Sequence, residues 1–238
     1  MTRVARAKSP AAMLTRERMF FGLFGIAALA TVFAGFSRTY FLNFTPTEPL
    51  AAVVRLHAVL FSAWMVLFVV QTSLVAARRT DIHRILGVLG LIFAIAVIAS
   101  GYLTAIEGAR TGWVGPGQPR DTSGALTFLA IPIGDIVLFG ALLAAGLYYR
   151  RQPGIHKRIM IMAMLAVLPP AFGRLPLLVA IALLIVFSIA GPIYDRLVYG
   201  RVHPFYKWAV PLMTVSIPLR ALIGASEVWR RFAGWLIT

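Results

Sequence analysis

Four histidines and one mid-segment aspartate carry most of the chemistry in this 238-residue chain. His83, His156 and His203 stand in short basic contexts: Asp81-Ile-His83-Arg-Ile-Leu-Gly87, Gly154-Ile-His156-Lys-Arg-Ile-Met160 and Gly200-Arg-Val-His203-Pro-Phe205. Imidazole is a common metal and haem-iron ligand. Two readings of the trio therefore stand: interfacial anchors beside Arg and Lys, or cofactor-binding ligands converging on a haem iron or other metal. Asp81 and Asp195 are the carboxylates available to orient the rings. His57 is apart from them, because the residues from His57 to Ala77 cover about 30 Å of helix.

Asp135, in Ile131-Pro-Ile-Gly-Asp135-Ile-Val-Leu, is the strongest single signal. It falls near the middle of an apolar run, where an unpaired carboxylate is expensive and such groups mark sites or ion pairs. Arg220 and Arg174 are its candidate partners. Arg220 follows Lys207 by about 20 Å of helix, which puts it near the depth of Asp135. The expected cluster is His57, Asp135, Arg174 and Arg220, with Asp135 and His57 as proton-exchanging, catalytic-type groups and the arginines as anion-binding groups. The alternative is an ion pair that fixes helix packing. His57, Trp64 and Gln71 repeat every seven residues and share one helix face. That polar stripe faces protein or a cavity, as a binding surface or as a hydrogen-bonded seam.

The elements that position these groups are membrane helices. Of the residues 60% are hydrophobic and 13% charged, with a mean hydropathy of +0.84. Soluble domains carry about 25% charged residues. Seven apolar runs approach or reach spanning length: Met19–Phe36, Ala51–Ala77, Ile85–Ile106, Gly124–Tyr149, Ile159–Phe172, Leu175–Tyr194 and Trp208 to about Ala225. The expected fold is an all-α, polytopic transmembrane bundle of seven helices. Six plus a re-entrant hairpin is the alternative, because the fifth run is short and contains Pro169-Pro170. The organisation reads as a basic segment 1–18, one membrane domain 19–226 and a short tail 227–238. The first apolar run is too long for a signal peptide and lacks a clear cleavage site. No internal repeat stands out.

Charge sets the orientation. The formal net charge is +15, from 23 Lys and Arg against 8 Asp and Glu. With the N-terminus in the cytoplasm of a cell (inner or plasma) membrane, most basic residues fall on the inner side. This distribution speaks for a bilayer and against nucleic acid, which would ask for one basic stripe. The absence of Cys excludes thiol catalysis and thiolate metal sites. Met160, Met162 and Met164 alternate, so they read as packing, not as a copper path. Phosphate-binding loops, H-E-x-x-H and G-x-S-x-G are absent. So is the mid-helix Lys of a retinal protein.

Arg55-Leu-His57 with Trp64 and Gln71, then Arg78-Arg79 and His83-Arg-Ile-Leu-Gly87, resembles a bacterial family of small multi-pass membrane proteins of uncharacterised activity. His156-Lys-Arg-Ile-Met160 and Gly200-Arg-Val-His203-Pro204 fit the same pattern. More distantly, the surroundings of His83 and His156 are similar to transmembrane cytochromes b of the ferric-reductase type. That resemblance implies haem b held by histidine pairs, and electron exchange with quinone or a similar partner. One outer and three inner histidines depart from a two-haem arrangement, so it implies at most one haem, at two of His83, His156 and His203. Three functions follow as expectations: a haem-b redox protein, a proton-coupled or anion-binding transporter or lipid-binding protein, and a structural or assembly factor.

Overall fold

The computed structural model describes residues 10–44, 50–115 and 118–238. Among them the chain is helical, without strands: α1 (Pro10–Phe36), α2 (Ala52–Ala76), α3 (Thr80–Arg110), α4 (Thr122–Phe128), α5 (Ala130–Tyr148), α6 (Pro153–Ala166), α7 (Pro169–Phe172), α8 (Leu177–Tyr199), α9 (Tyr206–Ala225) and α10 (Glu227–Leu236). Six stretches are long and apolar enough to cross a membrane: Met13–Phe41, Ala52–Ala76, Thr80–Arg110, Thr122–Arg151, Leu177–Tyr199 and Tyr206–Ala225. They match six of the seven expected runs. Their outward faces are apolar. On α3, Ile85, Val88, Ile92 and Ile95 are exposed, and on α8 Leu177, Leu178, Ile181 and Val186. Exposed apolar surface on this scale suits hydrocarbon, not water.

Three boundaries move. Helix α1 begins at Pro10, so half of the basic segment 1–18 is helical, and residues 1–9 lie outside the described part. Helix α3 begins at Thr80 and holds His83 in its first turn. The expected tail 227–238 is largely helix α10.

The fifth run departs most from expectation. It forms α6 and α7, broken at Val167–Leu168, where Pro169 and Pro170 have no N–H to continue the ladder. Helix α6, with 14 residues, is about 21 Å long. Every residue from Ile161 to Leu168 is buried. Helices α1, α5, α8 and α9 surround α6, and α1 and α8 flank α7. A helix apolar all round belongs in a core, which explains why the alternating methionines select no face.

This central segment lies along α1, from Glu17 to Gly35. Near its start, Lys157 Nζ lies 2.6 Å from Glu17 of α1. At its other end, a Cβ on Gly35 would fall 2.5 Å from the Ala171 carbonyl oxygen, so only glycine lets α1 and α7 approach this closely. We call the end that carries Glu17 and Lys157 proximal and the end that carries Gly35 and Ala171 distal. The proximal end is tied by ions. Arg158 grips Asp195 of α8 with two bonds, Nε to Oδ2 at 2.9 Å and Nη2 to Oδ1 at 2.5 Å. Arg158 also donates to the Gly154 carbonyl, and Tyr199 donates to Glu17. Gly200, at φ 72°, supplies the left-handed residue that ends α8.

Candidate functional site

In the distal half, α5 and α9 bring Asp135 and Arg220 together. Both are buried, at 5% and 9% exposure. Arg220 Nη1 donates to Asp135 Oδ1 at 2.6 Å and to the Ile131 carbonyl at 3.0 Å. Its Nε donates to the Ser216 carbonyl at 3.0 Å and its Nη2 reaches Ser216 Oγ at 3.4 Å. The guanidinium is thus held between the two helices. Room for it depends on Gly134, where a Cβ would sit 1.9 Å from Arg220 Cδ. The second carboxylate oxygen, Asp135 Oδ2, is buried without a hydrogen-bond partner. A charged acceptor in apolar surroundings is costly to leave unpaired.

Asp135 also borders a cavity of about 80 Å³, together with His57, Gly101, Pro132, Phe139 and Val167. His57 Nδ1 lies 3.2 Å from Ser100 Oγ. Ser100 spends its one hydroxyl proton on the Val97 carbonyl at 3.1 Å. In the tautomer in which Ser100 keeps that bond and accepts from His57, the proton is on Nδ1 and the Nε2 lone pair is bare. The cavity is too small for an ordinary ligand pocket of about 300 Å³ or more. It has room for a few waters, each needing ~10–15 Å³. A larger cleft of about 340 Å³ is bordered by Val114, Asp121, Thr127, Phe128, Ile131 and Ala221. Ile131 lends its carbonyl to Arg220, and Ala221 is the next residue in the chain. The ion pair therefore links the walls of the two spaces.

Arg174 does not join this cluster. It follows α7 at the distal end, with its guanidinium 4.0 Å above the Phe36 ring and its Nη1 on the Pro170 carbonyl at 2.6 Å. Counting residues along helices gives depth but not the side of a helix, and Arg174 points to α1, not to α5. The cluster has three of the four expected members. The heptad stripe of α2 does face protein. Trp64 is buried edge-on against Phe139 of α5, with its indole Nε1 unpartnered.

Gln71 meets His83. With its amide oriented to satisfy its neighbours, the amide nitrogen donates to His83 Nδ1 at 2.7 Å and to the His83 carbonyl at 3.2 Å, while the oxygen accepts from Gly87 N at 3.1 Å. The side chain thereby brackets one rung of the α3 ladder. The His83 proton is then on Nε2.

Of the proximal trio, two rings meet. The His83 and His156 centroids are 6.5 Å apart and nearly perpendicular, at 78°. His156 Nδ1 is 2.8 Å from the Gly146 carbonyl, which can only accept, so Nδ1 carries a proton and Nε2 is the ring nitrogen left to a ligand. His203 is engaged elsewhere. Its backbone N–H donates to Asp195 Oδ2 at 3.0 Å, and its Nδ1 accepts from Phe205 N at 3.2 Å. Asp195 therefore serves Arg158 and a backbone amide, not an imidazole. Asp81 pairs with Arg79 at 3.7 Å in the open. Among the described residues no three His, Asp or Glu side chains converge as a metal site. The sequence reading did not find the Arg158–Asp195 pair, nor Ser100 as the partner of His57. A carboxylate in the last apolar stretch of α8 was the available signal for the first.

No family model, no curated protein and no solved structure matches the chain.

Proposed function

We propose that this chain is a multi-pass membrane protein that exchanges protons at Asp135 and His57 and uses that exchange to drive or gate transport. One observation carries the reading. Asp135 has one oxygen on Arg220, its other oxygen is unpartnered, and it shares a cavity of about 80 Å³ with His57. A bare imidazole nitrogen and a free carboxylate oxygen beside space for water are the parts of a proton-transfer site. Arg220 holds the carboxylate in place and balances its charge. The neighbouring cleft of about 340 Å³ is the entry for a small solute. In this reading α6 and α7 make a seventh crossing, and the basic proximal end lies in the cytoplasm of the cell membrane.

The test is infrared difference spectroscopy of the full chain in lipid, titrated with acid. A carboxylic C=O band that forms on acidification, is missing in Asp135→Asn and shifts in His57→Ala supports the reading. Titration spectra that are identical in the wild type and Asp135→Asn overturn it.

The His83–His156 pair favours a second reading, haem b with a quinone partner. His156 fits an iron ligand, with Nδ1 on a carbonyl and Nε2 left to the iron. His83 does not fit as arranged, because Gln71 donates to its Nδ1 and the proton is on Nε2. Ligation there needs the amide turned to present its oxygen. The visible spectrum of the purified protein, oxidised and then dithionite-reduced, decides this reading. A Soret band with sharp α and β bands, lost in His83→Ala and His156→Ala, supports it. A colourless protein after haem supplementation ends it.

A further inference from the structure

We infer that α10 is an in-plane membrane helix, seated at the headgroup boundary of the distal leaflet. It has ten residues, about 15 Å, too short to cross a bilayer. At 3.6 residues per turn its side chains divide into three arcs. Trp229, Ala233 and Leu236 pack on the bundle against Ile106, Ala109 and Leu129. Glu227, Arg230 and Arg231 form a polar arc, with both arginines on the one carboxylate at 2.9 and 3.0 Å. Val228, Phe232 and Trp235 form the third arc, apolar and 80%, 46% and 71% exposed.

The helix is fixed against the bundle, so the third arc cannot simply turn inward. Ser226 caps its start by accepting from Trp229 N at 3.2 Å. Trp229 Nε1 donates to the Leu126 carbonyl at 2.8 Å, and Arg110 Nε donates to the Ile237 carbonyl at 2.7 Å. These bonds tie α10 to α4 and to the end of α3.

The occupant of the open arc is set by its neighbours. Leu219, Leu222 and Ile223 on the last turns of α9 are exposed and apolar, so the lipid-facing surface of the bundle continues onto α10. Aromatic side chains above an acyl boundary, with a basic arc beyond them, are what an interfacial helix presents. The partner is therefore the bilayer itself.

The chain has no Cys, so single-cysteine variants can be spin-labelled without background. Full-length Val228→Cys, Phe232→Cys, Trp235→Cys and Arg231→Cys are labelled and reconstituted in phosphatidylcholine–phosphatidylglycerol vesicles. Collisions with oxygen, which concentrates in lipid, are compared with collisions with a water-soluble nickel chelate. The expected result is a several-fold higher oxygen-to-nickel ratio at 228, 232 and 235 than at 231. Equal access of nickel to all four positions overturns the inference. Protection of the first three from both relaxants also overturns it, in favour of a protein partner. Brominated-lipid quenching needs no label. Trp235→Phe should lower the quenched share of the tryptophan emission, and an unchanged share overturns the inference.

Discussion

Removing one member of the Asp135–Arg220 pair leaves an uncompensated charge, and the two removals differ in consequence. In Asp135→Asn the guanidinium keeps only the carbonyls of Ile131 and Ser216 and the Ser216 hydroxyl. Breaking a buried pair this way costs about 3–5 kcal/mol, at least a hundredfold in the folded-to-unfolded ratio. Guanidinium cannot shed its charge, so that cost does not change with pH. In Arg220→Met the lone group is a carboxylate, which can take a proton in acid. Its cost should shrink as pH falls, by up to about 1.4 kcal/mol per unit. Replacing both, as Asp135→Leu with Arg220→Met, removes the charges together and should return stability to within about 1–2 kcal/mol of wild type. The assay is reversible unfolding by SDS in mixed micelles, followed by circular dichroism at several pH values. Single variants that each lie within about 0.5 kcal/mol of wild type would refute the argument, because surface substitutions reach that level. The double variant also separates packing from chemistry, being folded yet without the infrared response of Asp135.

Three further outcomes are expected. Gly134→Ala should displace the Arg220 side chain, since the new Cβ would sit 1.9 Å from its Cδ. Overpacking of this kind costs about 1–3 kcal/mol, and thermal unfolding of that variant, with and without Asp135→Leu and Arg220→Met, shows whether the clash is with the paired arginine. Arg158→Met should destabilise by about 3–5 kcal/mol in the same assay, because it strands the buried Asp195 carboxylate. Burial, reinforced by Arg158, holds His203 below the ordinary imidazole range. Between its folded and unfolded pKa values the unfolded chain binds more protons, so stability rises with pH there and is lost as pH falls. A wild-type stability that declines from pH 7 to pH 5 more steeply than that of His203→Gln is the expected sign.

Some of this was legible in the residues and some was not. Apolar runs of spanning length placed six crossing helices, since hydrocarbon demands a length that can be counted. Depth counting also paired Asp135 with Arg220. The same counting put Arg174 in the cluster, where it is not, because depth carries no information about which side of a short helix faces inward. The alternation of Met160, Met162 and Met164 read correctly as packing, but the central place of α6 did not follow from it. Residues 227–238 read as a tail, yet most of them form helix α10. Its three arcs are written in the spacing of Val228, Phe232 and Trp235 against Glu227, Arg230 and Arg231. Of the three proximal histidines, His83 and His156 meet, while His203 turns to its own loop. Their similar basic surroundings did not distinguish them.

The buried place of α6 and α7 bears on how the chain is made. Helices α1 and α5 precede the segment, and α8 and α9 follow it. During synthesis the segment therefore emerges before two of its four neighbouring helices, and it carries Lys157 and Arg158 near its start. Too short and too charged at that end to settle in lipid alone, it depends on α8 to bring Asp195 to Arg158 and on α9 to close the remaining side. Chains arrested after α7 should expose this segment to proteases and quality control.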